Sequence, residues 1–102
     1  MKQMEAIRVA KCMRSSCAMP DDILARMLSE LEGRIEIELH DKLDWTDTAD
    51  LSVPNPYDRL YWTFLVSMMD LYEGRLESYR AIYAEFCRAY ESYANHCRRQ
   101  GR

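Results

Sequence analysis

Glycine and proline are scarce, three of each in 102 residues, a composition that argues against a β-rich or a disordered chain. There is no run of about 18 apolar residues, so no membrane-spanning helix is expected. The first fourteen residues, MKQMEAIRVAKCMR, are interrupted by charge every two or three positions and do not read as a secretory signal. The glycines stand apart at Gly33, Gly74 and Gly101, which excludes a glycine-rich phosphate loop. No serine lies in a G-x-S-x-G context. His40 and His96 belong to separate segments with no catalytic motif around them. The expectation is a protein without catalytic residues, and so not an enzyme, and without a cofactor.

Cysteine spacing points the same way. Cys12, Cys17, Cys87 and Cys97 form no C-x-x-C pair. Cys87 and Cys97 fall on one predicted helix about 15 Å apart along its axis, too far to bridge. His96 adjoins Cys97, but neighbours on a helix point about 100° apart and do not converge on a zinc ion. Reduced, structural thiols are expected, with no metal site.

What remains has the composition of a globular domain, with 48% apolar and 30% charged residues. The length fits one domain over residues 1–102 with a radius of gyration of roughly 13 Å. Charge is segregated. The first twenty residues carry Lys2, Arg8, Lys11 and Arg14 against Glu5 alone. Residues 21–58 hold eleven acids against three bases, and residues 75–102 six arginines against three acids. An acidic middle between basic ends lacks the single basic stripe of a nucleic-acid reader. It reads first as a set of solvated helix faces, with surfaces of opposite sign that attract neighbouring copies as the sharper alternative.

The periodicity is helical throughout, and an all-α bundle of about four helices is predicted at 2–14, 20–39, 56–73 and 75–98. In the first, Met4, Ile7, Ala10 and Met13 form the apolar stripe. In the second, Pro20 takes the first helical position, with Asp21 and Asp22 near the positive end of the dipole. Its buried face is Leu24, Met27, Leu28, Leu31 and Ile35. Glu32 and Glu36 share a helix face and are expected to be solvated. Residues 40–55 form a long irregular connection anchored by Trp45 and Leu51. For the third helix, Asn55 is the expected N-cap, Pro56 the first residue and Asp58 the third.

Beyond Tyr57, one stripe runs through Tyr61, Leu65, Met68 and Tyr72, and another through Leu76, Tyr79, Tyr83, Phe86, Tyr90, Tyr93 and Cys97. One helix over 57–98 would be about 63 Å long, so a break at Gly74 is predicted, with a kinked continuous helix as the alternative. Tyr72, Tyr79, Tyr83, Phe86, Tyr90 and Tyr93 constitute a core or interface stripe. Their rings add buried area, and each tyrosine hydroxyl reaches the rim.

Two segments carry a resemblance. Leu28-Ser29-Glu30-Leu31-Glu32-Gly33-Arg34-Ile35 is similar to the LSELEGRI segment of small proteins encoded among the head genes of tailed phages and prophages, notably of Gram-positive bacteria. Val53-Pro54-Asn55-Pro56-Tyr57-Asp58-Arg59-Leu60-Tyr61 resembles their Val-Pro-x-Pro-Tyr-x-x-Leu-Tyr helix start. Gly74, Tyr79 and Phe86 fall where that family has the same residues. Arg75 and Arg80 depart from it, standing where an acidic residue and an asparagine are usual.

The resemblance spans roughly residues 20–95 and implies a head–tail connector, or adaptor. Such a virion structural protein assembles as a ring of about a dozen copies below the portal. It continues the DNA channel toward the tail, contacting the portal protein and a downstream stopper or tail-completion protein. DNA passes through without sequence-specific binding, and no membrane is involved. The location implied is the virion neck, with the host cytoplasm during assembly. Portal docking is expected at the C-terminal tail, through Arg98, Arg99 and Arg102. The alternative is a small helical regulatory or adaptor protein that binds one partner through its aromatic face.

Overall fold

The computed structural model describes residues 1–41 and 51–100. Four helices follow in order: α1 (Gln3–Met13), α2 (Asp21–Glu38), α3 (Arg59–Tyr72) and α4 (Leu76–Arg99), with no strand among the described residues. The protein is an all-α bundle, with a radius of gyration of 13.5 Å and principal extents of 42 × 26 × 20 Å.

The helices run up and down. Lys11 at the end of α1 pairs with Asp21 at the start of α2, while Gln3 at the other end of α1 donates to the Ala25 carbonyl and the Ser29 hydroxyl. The two helices are therefore antiparallel. α1 lies along α3 in the same direction, so that Arg14 meets Asp70. α3 and α4 form an antiparallel pair, with Phe64 against Phe86 and Tyr57 against Tyr93. The C-terminal half of α2 reaches the C-terminal half of α4 through Tyr90 and Glu38.

The core follows the predicted stripe closely in α2, where Leu24, Leu28, Leu31 and Ile35 are buried and Met27 packs against them. In α1 the stripe is narrower than expected. Ala6, Ile7 and Ala10 are buried, but Met4 and Met13 are exposed, because α1 covers the core with one short face near its middle. α3 contributes Leu60, Tyr61, Leu65, Val66 and Met69. In α4, Phe86, Ala89, Tyr90, Tyr93 and Cys97 are buried, whereas Leu76 is exposed.

Helix ends explain the remaining boundaries. Pro20 is the N-cap of α2 rather than its first residue: its extended ψ of 151° directs its carbonyl to the Leu24 N–H, and Asp21 opens the helix. The start of α3 lies further on than the Asn55-Pro56 signal predicts. The Tyr57 N–H closes a turn on the Pro54 carbonyl at 2.9 Å, and α3 begins at Arg59 with Asp58 as its N-cap. Asn55 is therefore a turn residue and caps nothing.

The break between α3 and α4 is a full Schellman motif around Gly74, whose φ is +76°. The Gly74 N–H donates to the Leu71 carbonyl and the Arg75 N–H to the Asp70 carbonyl, at 3.1 and 2.8 Å. A single kinked helix is thus excluded. This motif commonly carries an apolar contact between the residue after the glycine and the last turn. Here Arg75 reaches buried Asp70 at 3.8 Å instead, which gives the unexpected arginine a structural role.

Candidate functional site

The polar chemistry of this bundle is mostly internal, and α2 supplies much of it. Glu32 lies four residues after Leu28 and three before Ile35, so the helical period places it beside the buried stripe. Its carboxylate is buried and accepts two short hydrogen bonds: the Tyr61 hydroxyl donates to Oε1 and the Ser52 N–H to Oε2, both at 2.6 Å. The Val53 N–H donates in turn to the Tyr61 hydroxyl oxygen at 3.0 Å. Tyr61 and Val53 are wholly inaccessible. Burial first, and then the neighbouring Glu32 carboxylate, drives the Tyr61 phenol pKa far upward, so it remains a donor.

One turn on, Glu36 is also buried. Its Oε1 lies 2.8 Å from His40 Nδ1, and His40 Nε2 lies 2.6 Å from the Tyr93 hydroxyl. A carboxylate at Nδ1 favours the proton there, which leaves Nε2 to accept from Tyr93. Rings of Tyr57 and His96 stack at 4.8 Å beside this chain. A cavity of about 360 Å³ opens here, lined by His40, Tyr93, His96, Cys97 and Gln100. Glu32 and Glu36 are therefore not the solvated pair expected. Partners from residues 52, 61 and 40 compensate their desolvation, as a buried carboxylate requires.

Two further clusters complete the network. Tyr90 donates to Glu38 at 2.6 Å, and Arg34 both pairs with Glu38 and lies 4.6 Å over the Tyr90 ring. The Tyr90 hydrogen bond leads the causes that hold Glu38 below the usual carboxylate range. At the opposite end, fully buried Asp70 takes the Arg14 fork at 2.7 and 3.0 Å and the Ser78 hydroxyl at 2.7 Å. Burial pushes the Asp70 pKa up, but these bonds with the Arg14 and Arg75 charges outweigh it and hold the carboxylate low. Asp70 is the one charged residue between Arg59 and Glu73, and a lone charge in such a stretch was the available signal for it.

The predicted site residues separate into different environments. Val53, Leu60 and Tyr61 are buried, Tyr57 is half-buried against Tyr93 and His96, and Pro54, Asn55 and Pro56 are exposed. Of the aromatic stripe, Phe86, Tyr90 and Tyr93 are core, Tyr79 and Tyr83 are half-buried, and Tyr72 is 58% exposed. Tyr72 and Leu76 fall at the end of the hairpin, beyond the cover of the other helices. Arg98 and Arg99 lie in the last turn of α4 and not in a tail beyond it. Arg98 is engaged by Glu91 at 3.1 Å and by Asn95. Arg102 and Trp45 lie outside the described residues.

All four cysteines are free thiols, Cys97 buried and Cys12 and Cys87 exposed. Among the described residues no group of three or more His, Cys, Asp or Glu could hold a metal ion, and no helix is long and apolar enough to cross a membrane. Comparison with protein-family models, curated proteins and solved structures finds no match for this chain.

Proposed function

We propose that this chain is a virion structural protein, a head–tail connector that assembles as a ring below the portal and acts without catalysis. The observation that carries the reading is the meeting of the two connector-like segments at one buried point. Glu32 of LSELEGRI accepts from the hydroxyl of Tyr61, the last residue of the Val53–Tyr61 segment, and that hydroxyl accepts from the N–H of Val53, its first. The two segments are thus halves of one folding unit, which gives a physical reason for them to occur together. Supporting it, the internal carboxylates are committed to holding helices and the 51–57 turn in place, as a rigid building block requires. The alternative, a partner bound by the aromatic face, would have to use Tyr72, Tyr79 and Tyr83, because Phe86, Tyr90 and Tyr93 face the core.

In this reading the partners are the portal protein, a stopper or tail-completion protein and further copies of the chain. Arg98 and Arg99, exposed at the C-terminal end of α4, are the portal-facing candidates within the described residues, and Arg102 extends the set. The test is binding to a portal protein from the same genome. Arg98→Glu/Arg99→Glu should keep full helicity and weaken binding at least tenfold, or about 1.4 kcal/mol. Unchanged binding moves the docking surface elsewhere; no binding by the unaltered protein removes the connector reading.

A further inference from the structure

The end of the α3–α4 hairpin is rigid and apolar at once. Residues 71–77 are all exposed, and among them Leu71, Tyr72 and Leu76 show 44%, 58% and 51% of their surface. Three large apolar side chains exposed within six residues offer a surface for a partner. The segment is also held firmly. Gly74 closes the Schellman turn, and Asp70 beneath it is clamped by Arg14 and Ser78. A contact made there costs little ordering entropy, and tyrosine is a favoured anchor of protein interfaces.

The same chain carries a surface that fits this knob. Met4, Ile7, Arg8, Lys11 and Cys12 of α1 line a groove of about 380 Å³ whose far side is Asp21 at the start of α2. Met4 is 57% exposed there. The knob is flanked by Glu73 and Glu77, while Arg75 turns back toward Asp70 and Glu73 at 3.8 and 3.7 Å. Within the groove Lys11 is paired with Asp21, so Arg8 is the base left to meet the acids beside the knob, and opposite charge fixes the register of such contacts.

We infer that the hairpin knob of one copy, Leu71, Tyr72 and Leu76, docks in the α1–α2 groove of a second copy. Knob and groove are different surfaces, so the contact is heterologous and propagates from copy to copy. It rests on the proposed self-assembly for its purpose but not for its geometry. It draws its acids from Glu73 and Glu77 and not from the 21–58 segment, of which Glu32 and Glu36 are buried.

Two variants at exposed positions test it by sedimentation velocity: Tyr72→Ser/Leu76→Ser for the knob and Met4→Glu/Arg8→Glu for the groove. The unaltered protein should grow past a dimer between about 10 μM and about 1 mM. Each variant alone should associate at least tenfold more weakly. An equimolar mixture should form a one-to-one pair and stop, because one variant keeps only its groove and the other only its knob. A monomeric unaltered protein over that range, a variant that associates normally, or a mixture that stays monomeric overturns the contact. Should a variant lose helicity by circular dichroism, Leu76→Cys decides instead. Oxidation should link the new thiol to Cys12 of another copy, a product that Cys12→Ser abolishes; linkage through Cys17 or Cys87 contradicts the contact. If the knob variant still forms rings on the portal, this contact fails and the connector reading stands. If the pair forms but no portal binds, the reverse holds.

Discussion

Replacing Glu32 with alanine removes the acceptor for two donors, one of them wholly buried. The Tyr61 hydroxyl and the Ser52 N–H would each lose a 2.6 Å bond to an ionised carboxylate. Hydrogen bonds to charged groups are each worth about 1.5–3 kcal/mol. Ser52 is exposed, so water can replace its partner, whereas Tyr61 is wholly inaccessible and cannot be rehydrated. Glu32→Ala should therefore cost about 3–4 kcal/mol, a large part of the about 5–15 kcal/mol available to a small domain. Tyr61→Phe breaks the same bond from the other side and strands the Val53 N–H, at about 2–3 kcal/mol. The pair should couple in a double-mutant cycle by about 1 kcal/mol or more. Urea unfolding followed by circular dichroism reads each value, with a constant slope as the check on two-state behaviour. A cost for Glu32→Ala below about 1 kcal/mol, or strict additivity, would refute the node as the link between the two segments.

Other outcomes follow from single residues. Phe86, 1% exposed and packed on Phe64, Tyr83 and Tyr90, should cost about 3–5 kcal/mol as Phe86→Ala in the same unfolding assay. Gly74→Ala should cost about 1–2 kcal/mol from its φ of +76° alone, since nothing lies within 4 Å of the added methyl. Asp70 has its folded pKa lowered, so its stabilisation is fully present above the usual carboxylate range and lost as pH falls through the folded value. The stability gap between the unaltered protein and Asp70→Asn should accordingly close on acidification, and a gap independent of pH would contradict the ion pair.

Local patterns in the sequence carried much of this fold. The stripe of α2 and the glycine stop at Gly74 were legible because both depend on residues within one or two turns. The failures share a cause, which is partners distant in the chain. Glu32 looked solvated because its acceptor role depends on Ser52 and Tyr61, 20 and 29 residues away. Asp70 depends on Arg14, 56 residues before it. Met4, Met13, Tyr72 and Leu76 keep the helical period yet stand exposed, because periodicity states which face a residue is on and not how far the neighbouring helix extends. The Asn55-Pro56 cap signal was outweighed by the turn that Tyr57 closes on Pro54.

The connector reading is tested most directly by an electron micrograph of this protein mixed with a portal protein from the same genome. The account predicts a second ring of about a dozen copies stacked coaxially below the portal, with an open central channel. A portal ring that remains bare, with this protein free or as a closed two-fold dimer, would contradict it.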